Sequence, residues 1–527
     1  MRHGRRLSDS GDNNMPVHNP AIIKKFLKMP EPSLSDTLGD YQRLLREIER
    51  ESGYKDVKGD LALLEGMGKI LRDSDWKVTV TFSVIDGQVQ LVNMEKGNTE
   101  KSFYALACDI GTTTLVINLV NLFTGEIIDS KMGYNPQRVR GTDVTSRMMY
   151  CEEEGGLSEL HKLLINELNS IIEQLCKLHG ISQTEISGLI CAGNTIMAHI
   201  FFGFDPTNIR IEPYVPLTTF YPAVSPSEMG ININPNGVVK FLPGVSGYLG
   251  GDITAGILSS GLNESDQTTL LIDIGTNGET VLGNRDWMVA CSGSAGSAFE
   301  GCGLEFGMNA TPGSIEKVAL EGNGNLNYIT IGNESPKGIC GSGLIELLLE
   351  LLKHGIIDRR GQIDKESKSP MVRKSDAGCE IVIVRASETQ INKDIVLTQG
   401  NIDNLIRDKA ALYAGSTILL KSMQMEISNV DKLLIAGNFG RHLDIEKAIS
   451  IGLLPDIARS KIEFIGNSSI EGATRALLSV EDLEKTQQIA ESVTTFELTR
   501  EPSYYELYTS ALFLPHTDMS LFPSVKF

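Results

Sequence analysis

The tetrapeptide Asp-Ile-Gly-Thr occurs twice, at 109–112 and again at 273–276, and both copies sit in the same setting. Before each stands a short apolar strand signal, YALAC and TTLLI. After each comes a second strand, LVINLV and ETVLG, then a turn at Thr124-Gly125 and Gly283-Asn284, then a third strand. Another element also recurs: GLICAGN ends at Asn194 and KLLIAGN at Asn438. Two copies of one half in the same order, with helical segments between the strands, predict a duplicated α/β architecture.

The atoms of the repeated loop indicate a chemistry. An Asp at a strand end followed by Gly and hydroxyl residues makes a tight turn. Its N–H groups and hydroxyls point outward together, forming a nest for phosphate oxygens. The carboxylate cannot face phosphate bare, but it can hold a hydrated Mg²⁺, which prefers one or two carboxylates and keeps its waters. Two such halves facing across a nucleotide cleft would clamp a polyphosphate from both sides. A single copy reads as a plain hairpin turn, and it is the matching contexts that favour the nucleotide. The chain has no G-x-x-x-x-G-K-[ST] run, and neither copy opens a helix as a dinucleotide fingerprint must.

With 527 residues, 41% of them hydrophobic, two to four domains are expected. A formal charge of −19 argues against a nucleic-acid or anionic-membrane binder. MRHGRRLSDSGDNN has no apolar stretch behind its basic start, so no secretory signal is visible. The richest apolar run, LIELLLELLKHGII, is broken by Glu346, Glu350 and Lys353, which marks a packed helix instead of a membrane span. A cytoplasmic protein is expected. The eight cysteines, at 108, 151, 176, 191, 291, 302, 340 and 379, include no C-x-x-C pair, unlike an iron–sulfur or zinc ligand run. They read as reduced thiols in or near the core, least clearly so for Cys302 and Cys340 in Gly-rich loops. His199 and His442 have no second ligand at suitable spacing, so neither is expected to bind metal.

Along the chain, residues 1–30 read as a disordered tail and linker. Residues 31–100 read as a small α+β domain with a hairpin around Asp86-Gly87. The first half spans 101–262, the second 263–491, and 492–527 is a tail without an assignable element. Asp252, in LGGDITAGIL, is expected to be the N-cap of its helix.

The two hairpins and the later IAGNFG resemble the phosphate-one, phosphate-two and adenosine motifs of the superfamily of acetate and sugar kinases, heat-shock chaperones and actin. CAGNTIMAHIFFG, FLPGVSGYLGGDITAGIL, CSGSAGSAFEG, CGSGLIELL and AGNFGRHLDIEKAISIGLLPDI resemble one branch, the reductive activators of corrinoid-dependent methyltransferases. The likeness runs from about Pro20 to about Leu478. It implies an actin-like, sugar-kinase-like ATPase fold that couples ATP hydrolysis to reduction of a Co(II) corrinoid protein to Co(I).

Carried onto this chain, the resemblance makes Asp109 and Asp273 the Mg²⁺-associated catalytic carboxylates. Gly111, Thr112, Thr113, Gly275, Thr276 and Asn277 become the phosphate loops, and Gly437, Asn438 and Gly440 the adenosine site of the second half. Glu279 would orient the attacking water, or be a strand-edge charge. Gly343 would lie at a helix N-terminus facing the nucleotide, or serve close helix packing. Such activators carry an iron–sulfur domain, and no cysteine cluster stands here. No iron–sulfur cluster is therefore expected in this chain: either a separate ferredoxin or flavoprotein delivers the electron, or the chain is a fragment or an ATPase put to another use. The resemblance also implies a homodimer. A small-molecule kinase of the same superfamily and a non-redox, chaperone-like ATPase switch are the alternatives.

Overall fold

The computed structural model describes residues 19–293, 295–301, 303–321, 326–375, 378–437 and 443–526. They form two compact units. One comprises Met1–Ser259 with Ser469–Glu491, the other Ser260–Ser468 with Ser492–Phe527.

The first unit opens with β1 (Ile22–Lys28), α1 (Asp40–Ser52), α2 (Leu61–Asp73), β2 (Lys77–Ile85) and β3 (Gln88–Lys96). These build an antiparallel sheet, β1-β2-β3, around Leu44, Ile48, Leu71, Val80 and Phe82. The two-residue turn falls on Asp86 and Gly87, both at positive φ, which suits the twist of a tight hairpin. The expectation that 1–30 is a disordered tail and linker is corrected for IIKKFLK. Its lysines suggest solvated chain, yet it pairs with β2 over seven residues and buries Ile22 and Leu27.

Next come β4 (Tyr104–Ile110), β5 (Thr114–Asn121), β6 (Glu126–Tyr134), α3 (Val144–Cys151), α4 (Gly156–His179), β7 (Ile186–Ala192), α5 (Thr195–Phe202), α6 (Pro226–Met229), β8 (Val238–Phe241) and α7 (Gly251–Ser260). Their sheet has the order β6-β5-β4-β7-β8, with β4, β7 and β8 parallel and β5 antiparallel to its neighbours. The central strands are apolar on both faces, as covered parallel strands must be.

The second unit repeats this plan. It contains β9 (Thr269–Asp273), β10 (Glu279–Asn284), β11 (Trp287–Ser292), β12 (Ser314–Leu320), β13 (Leu326–Thr330), β14 (Gly338–Ile339), α8 (Gly341–Lys353), β15 (Val372–Ser375), β16 (Gly378–Val384), β17 (Ile395–Thr398), α9 (Gln399–Ser422), β18 (Lys432–Ala436), α10 (Ile445–Ser450) and β19 (Ile462–Gly466). The main sheet runs β19-β18-β9-β10-β11, the first unit's order, and gains one strand at the edge. Small sheets β13-β12-β14 and β15-β16-β17 are inserted between β11 and α9. The β10–β11 turn is Arg285-Asp286, because Gly283 and Asn284 are still paired, with Met288 and Trp287.

The chain then crosses back. In α11 (Ser468–Leu478), all but the first residue, and in α12 (Val480–Ser492), all but the last, belong to the first unit, which corrects the assignment of 263–491 to one half. Asn118 Nδ2 donates to Thr474, and Arg475 donates to the Leu258 carbonyl, bonds that no local pattern announces. The C-terminal stretch is structural as well. β20 (Val493–Thr495) is the added edge strand, α13 (Tyr504–Ala511) follows, and Leu514 and Phe522 lie in the second unit's core. No helix among the described residues is long and apolar enough to cross a membrane.

Candidate functional site

In each unit the Asp of Asp-Ile-Gly-Thr stands at or next to the C-terminal end of the first strand. Its neighbour across the parallel pair is the Ala of Ala-Gly-Asn: Asp109 faces Ala192, and Asp273 faces Ala436. The following glycine closes on the loop in the same way both times. A Cβ on Gly193 would lie 2.6 Å from the Ile110 carbonyl oxygen, and one on Gly437 would lie 2.6 Å from that of Ile274. Neither position admits a side chain, since real Cβ atoms do not approach oxygen so closely. Duplication thus extends from the strand order down to single backbone contacts.

Loop 111–113 is held from beneath by buried polar side chains. Asn135 Nδ2 donates to the Gly111 carbonyl at 3.0 Å, and its backbone N–H to Thr113 at 2.9 Å. The fully buried Arg147 donates to the Thr112 carbonyl at 2.5 Å and to Gln137 Oε1 at 2.9 Å. Asn194 caps α5 by accepting the Met197 N–H, and donates to Thr112 Oγ1 at 3.0 Å. Carbonyls and side chains on the buried side are therefore engaged by the protein, which fixes the loop's shape before any ligand arrives.

Asp109 is 8% exposed and accepts a hydrogen bond from Ser469 Oγ at 2.8 Å. Asp252 lies nearby. It is the second residue of α7, so the N-cap expectation is corrected: the cap position is Gly250, two residues earlier, and the Asp252 carboxylate accepts the Ile253 N–H at 2.9 Å. Burial first, and the charge of Asp109 second, push the Asp252 carboxyl up to about 7. Two carboxylates that raise each other's cost of ionisation are a donor set a divalent cation relieves, and Mg²⁺ fits such oxygen ligands. Among the described residues, no group of three or more His, Cys, Asp or Glu could hold a metal.

In the second loop, Asp273 is partly exposed and stands directly opposite Glu279 in the β9–β10 pair. Facing residues of an antiparallel pair share one side of the sheet. Glu279 is 5% exposed, so it is a buried carboxylate beside Asp273 and the strand-edge alternative is excluded. Thr276 Oγ1 donates to Glu300 at 2.7 Å, an acid that the sequence reading passed over within SAFEG.

Gly343 is explained by packing: a Cβ there would lie 2.3 Å from the Ile315 carbonyl of β12. Asn438, Gly440, His442 and Cys302 lie outside the described residues. His199 is a core residue. One ring nitrogen bonds the Thr195 carbonyl, the other accepts the Leu217 N–H, and burial holds its pKa below the usual value.

Similarity to known proteins covers almost the whole chain. Residues 13–101 match the RACo linker region, 104–265 the RACo middle region, and 267–526 the C-terminal domain of RACo, the ASKHA domain. The corrinoid activation enzyme RamQ of Eubacterium limosum is 35% identical over 421 residues, covering 78% of this chain and 70% of that protein. The [Co(II) methylated amine-specific corrinoid protein] reductase of Methanosarcina barkeri is 23% identical over 434 residues, with 75% and 74% covered. A solved reductive activator for corrinoid, iron-sulfur protein superposes with a TM-score of 0.92 at 43% identity, covering 97% of this chain and 82% of that one. The chain belongs to the RACo family of reductive activators for corrinoid proteins.

Proposed function

We propose that this chain is an ATP-dependent activator that promotes reduction of a Co(II) corrinoid protein to Co(I). The observation that carries the reading is the duplicated register, Asp109 on Ala192 and Asp273 on Ala436, in a chain whose relatives act on corrinoid proteins. In the first unit, loop 111–113 is a phosphate-binding loop with Asp109 and Asp252 as its Mg²⁺-associated carboxylates; in the second, loop 275–277 is the matching loop with Asp273 as its carboxylate. When bound, that cation offsets phosphate charge in the transition state. Glu279, beside Asp273, accepts a hydrogen bond from the attacking water and orients it. Gly437 contributes to the adenosine side, where a missing side chain lets a ring approach backbone.

One electron must reach cobalt from outside the hydrolysis reaction, because splitting ATP with water moves none. Of the seven described cysteines, five are buried and all are free. The donor in this reading is a separate ferredoxin or flavoprotein. ATP then acts by shifting populations: the nucleotide-bound form favours the Co(II) protein in a state that accepts an electron, within the limit set by differential affinity. A homodimer is part of the proposal, checked by light scattering.

The test is Co(I) formation, followed by absorbance, from a Co(II) corrinoid protein. Rapid reduction is expected only when Mg-ATP, this protein and a low-potential donor are present together. Binding of the corrinoid protein without faster Co(I) formation, whatever the donor, replaces the activator with an ATPase switch.

A further inference from the structure

We propose that Asp408 is a positioning residue for the second phosphate loop, acting through the backbone of residues 295–301 and through Glu300 on Thr276. This rests on the nucleotide reading of that loop above and adds to it a component that no phosphate motif contains.

Asp408 stands in the middle of α9. It is 7% exposed, and its carboxylate accepts two backbone hydrogen bonds, from the N–H of Gly296 and of Ala298, each at 2.8 Å. A carboxylate buried there costs free energy unless its oxygens are satisfied, and two amides of one loop satisfy them. Burial nonetheless holds its pKa above the ordinary carboxylate value. Gly296 belongs to the same device. A Cβ on it would lie 2.7 Å from Asp408 Oδ1, so any side chain would displace the anchor.

The anchored segment grips the phosphate loop along its length. Gly293 N–H donates to the Gly278 carbonyl at 2.9 Å, Ala295 N–H donates to that of Asn277 at 3.1 Å, and Glu300 takes the Thr276 hydroxyl at 2.7 Å. Gly278, at φ +68°, lets the loop lie against α9, where a Cβ would lie 2.8 Å from Leu412 Cδ2. Residues 275–278 are therefore backed by a second loop, and that loop is fixed to a long helix by one carboxylate. A loop with so many glycines has little stiffness of its own, and Asp408 supplies it.

Two measurements test this. In the nucleotide-free protein, Asp408→Asn should speed hydrogen–deuterium exchange in a peptide covering 295–301, because an amide side chain accepts on only one of its two polar atoms. Gly296→Ala, which disturbs the same anchor from the other side, should do likewise. In ATP turnover, Asp408→Asn and Glu300→Gln should each lose roughly ten- to a hundredfold, the scale of a mispositioned reactive group. The double variant should fall no more than about twofold below the weaker single, since both break one chain of contacts. Unchanged exchange at 295–301, or turnover losses that multiply in the double variant, would overturn the proposal. Absence of any Mg-ATP-dependent rise in the wild-type thermal midpoint would instead refute the nucleotide reading, and the exchange experiment would still decide whether Asp408 anchors the loop.

Discussion

Ser469 Oγ donates to Asp109 Oδ1 across 2.8 Å, although the two residues are 360 positions apart in sequence. If Asp109 binds a hydrated cation as proposed, it needs one orientation, and a hydroxyl on α11 supplies it. Asp109→Ala is expected to abolish ATP hydrolysis with the fold retained. Ser469→Ala should be milder. Losing a hydrogen bond to a charged group costs about 1.5–3 kcal/mol, so the Mg²⁺ concentration for half-maximal hydrolysis should rise about tenfold or more. Mg²⁺ titrations of both variants check this, and an unchanged midpoint for Ser469→Ala would show that Asp109 is oriented by its other contacts.

Asp252 gives a prediction of opposite sign for stability and for metal response. Its carboxyl is raised from 3.8 to about 7, so the folded protein holds this proton where the unfolded chain has lost it. Ionising it costs stability above about pH 7, and the cost vanishes as pH falls toward 4. Asp252→Asn should therefore raise the thermal midpoint of the nucleotide-free protein at pH 8. After allowing for partial exposure the gain is about 1–2 kcal/mol, and it should fade by about pH 4–5. The same variant should lose most of the stabilisation that Mg-ATP gives the wild type. A variant no more stable than wild type at pH 8 would count against the carboxylate pair.

Much of the architecture is readable from the sequence because the repeat is local. Each Asp-Ile-Gly-Thr loop, its flanking strands and its Ala-Gly-Asn partner lie in short runs with a clear period. What stays hidden depends on tertiary pairing. IIKKFLK carries no alternation strong enough to announce an edge strand, yet β2 gives all seven residues a partner. The return of 469–491 to the first unit rests on side chains such as Ser469 and Thr474, whose types are common in any helix. Asp252, Glu300 and Asp408 are single acids in ordinary surroundings, and only burial and distance single them out. GGD at a helix start and the lone acid in SAFEG were the available signals.

Two buried histidines make stability depend on pH in a predictable direction. Burial lowers the pKa of His199, and burial together with the charge of Lys409 lowers that of His516, both from 6.5. A depressed base binds fewer protons in the folded state, so its stability contribution is present above about pH 6.5 and is lost as pH falls below it. Each fully affected histidine contributes a slope of up to about 1.4 kcal/mol per pH unit in that window. Urea unfolding from pH 8 to pH 5 should show wild type losing more stability than a His199→Gln, His516→Gln double variant. Parallel pH profiles for the two proteins would refute the assignment.

The C-terminal stretch is tied to the second unit through Lys409 and Arg359. Lys409 is fully buried beside Asp408 in α9, and its Nζ donates to the Phe513 and Pro515 carbonyls at 2.7 and 2.6 Å. Arg359 Nε adds a bond to Leu514 at 3.1 Å, so two cations hold three successive carbonyls of an irregular segment. Burial and the neighbouring guanidinium push the Lys409 pKa well below its usual value, which means that packing opposes its charge. Lys409→Met removes that opposition but leaves the buried Pro515 carbonyl and the partly buried Phe513 carbonyl without this donor, at up to about 1–3 kcal/mol each, and the second effect should dominate. The thermal midpoint should fall, and limited proteolysis should cut faster between Tyr504 and Phe522, while exchange in the first unit stays unchanged. A Met variant with wild-type stability and an equally resistant C-terminus would mean that Leu514 and Phe522 hold the segment by apolar burial alone.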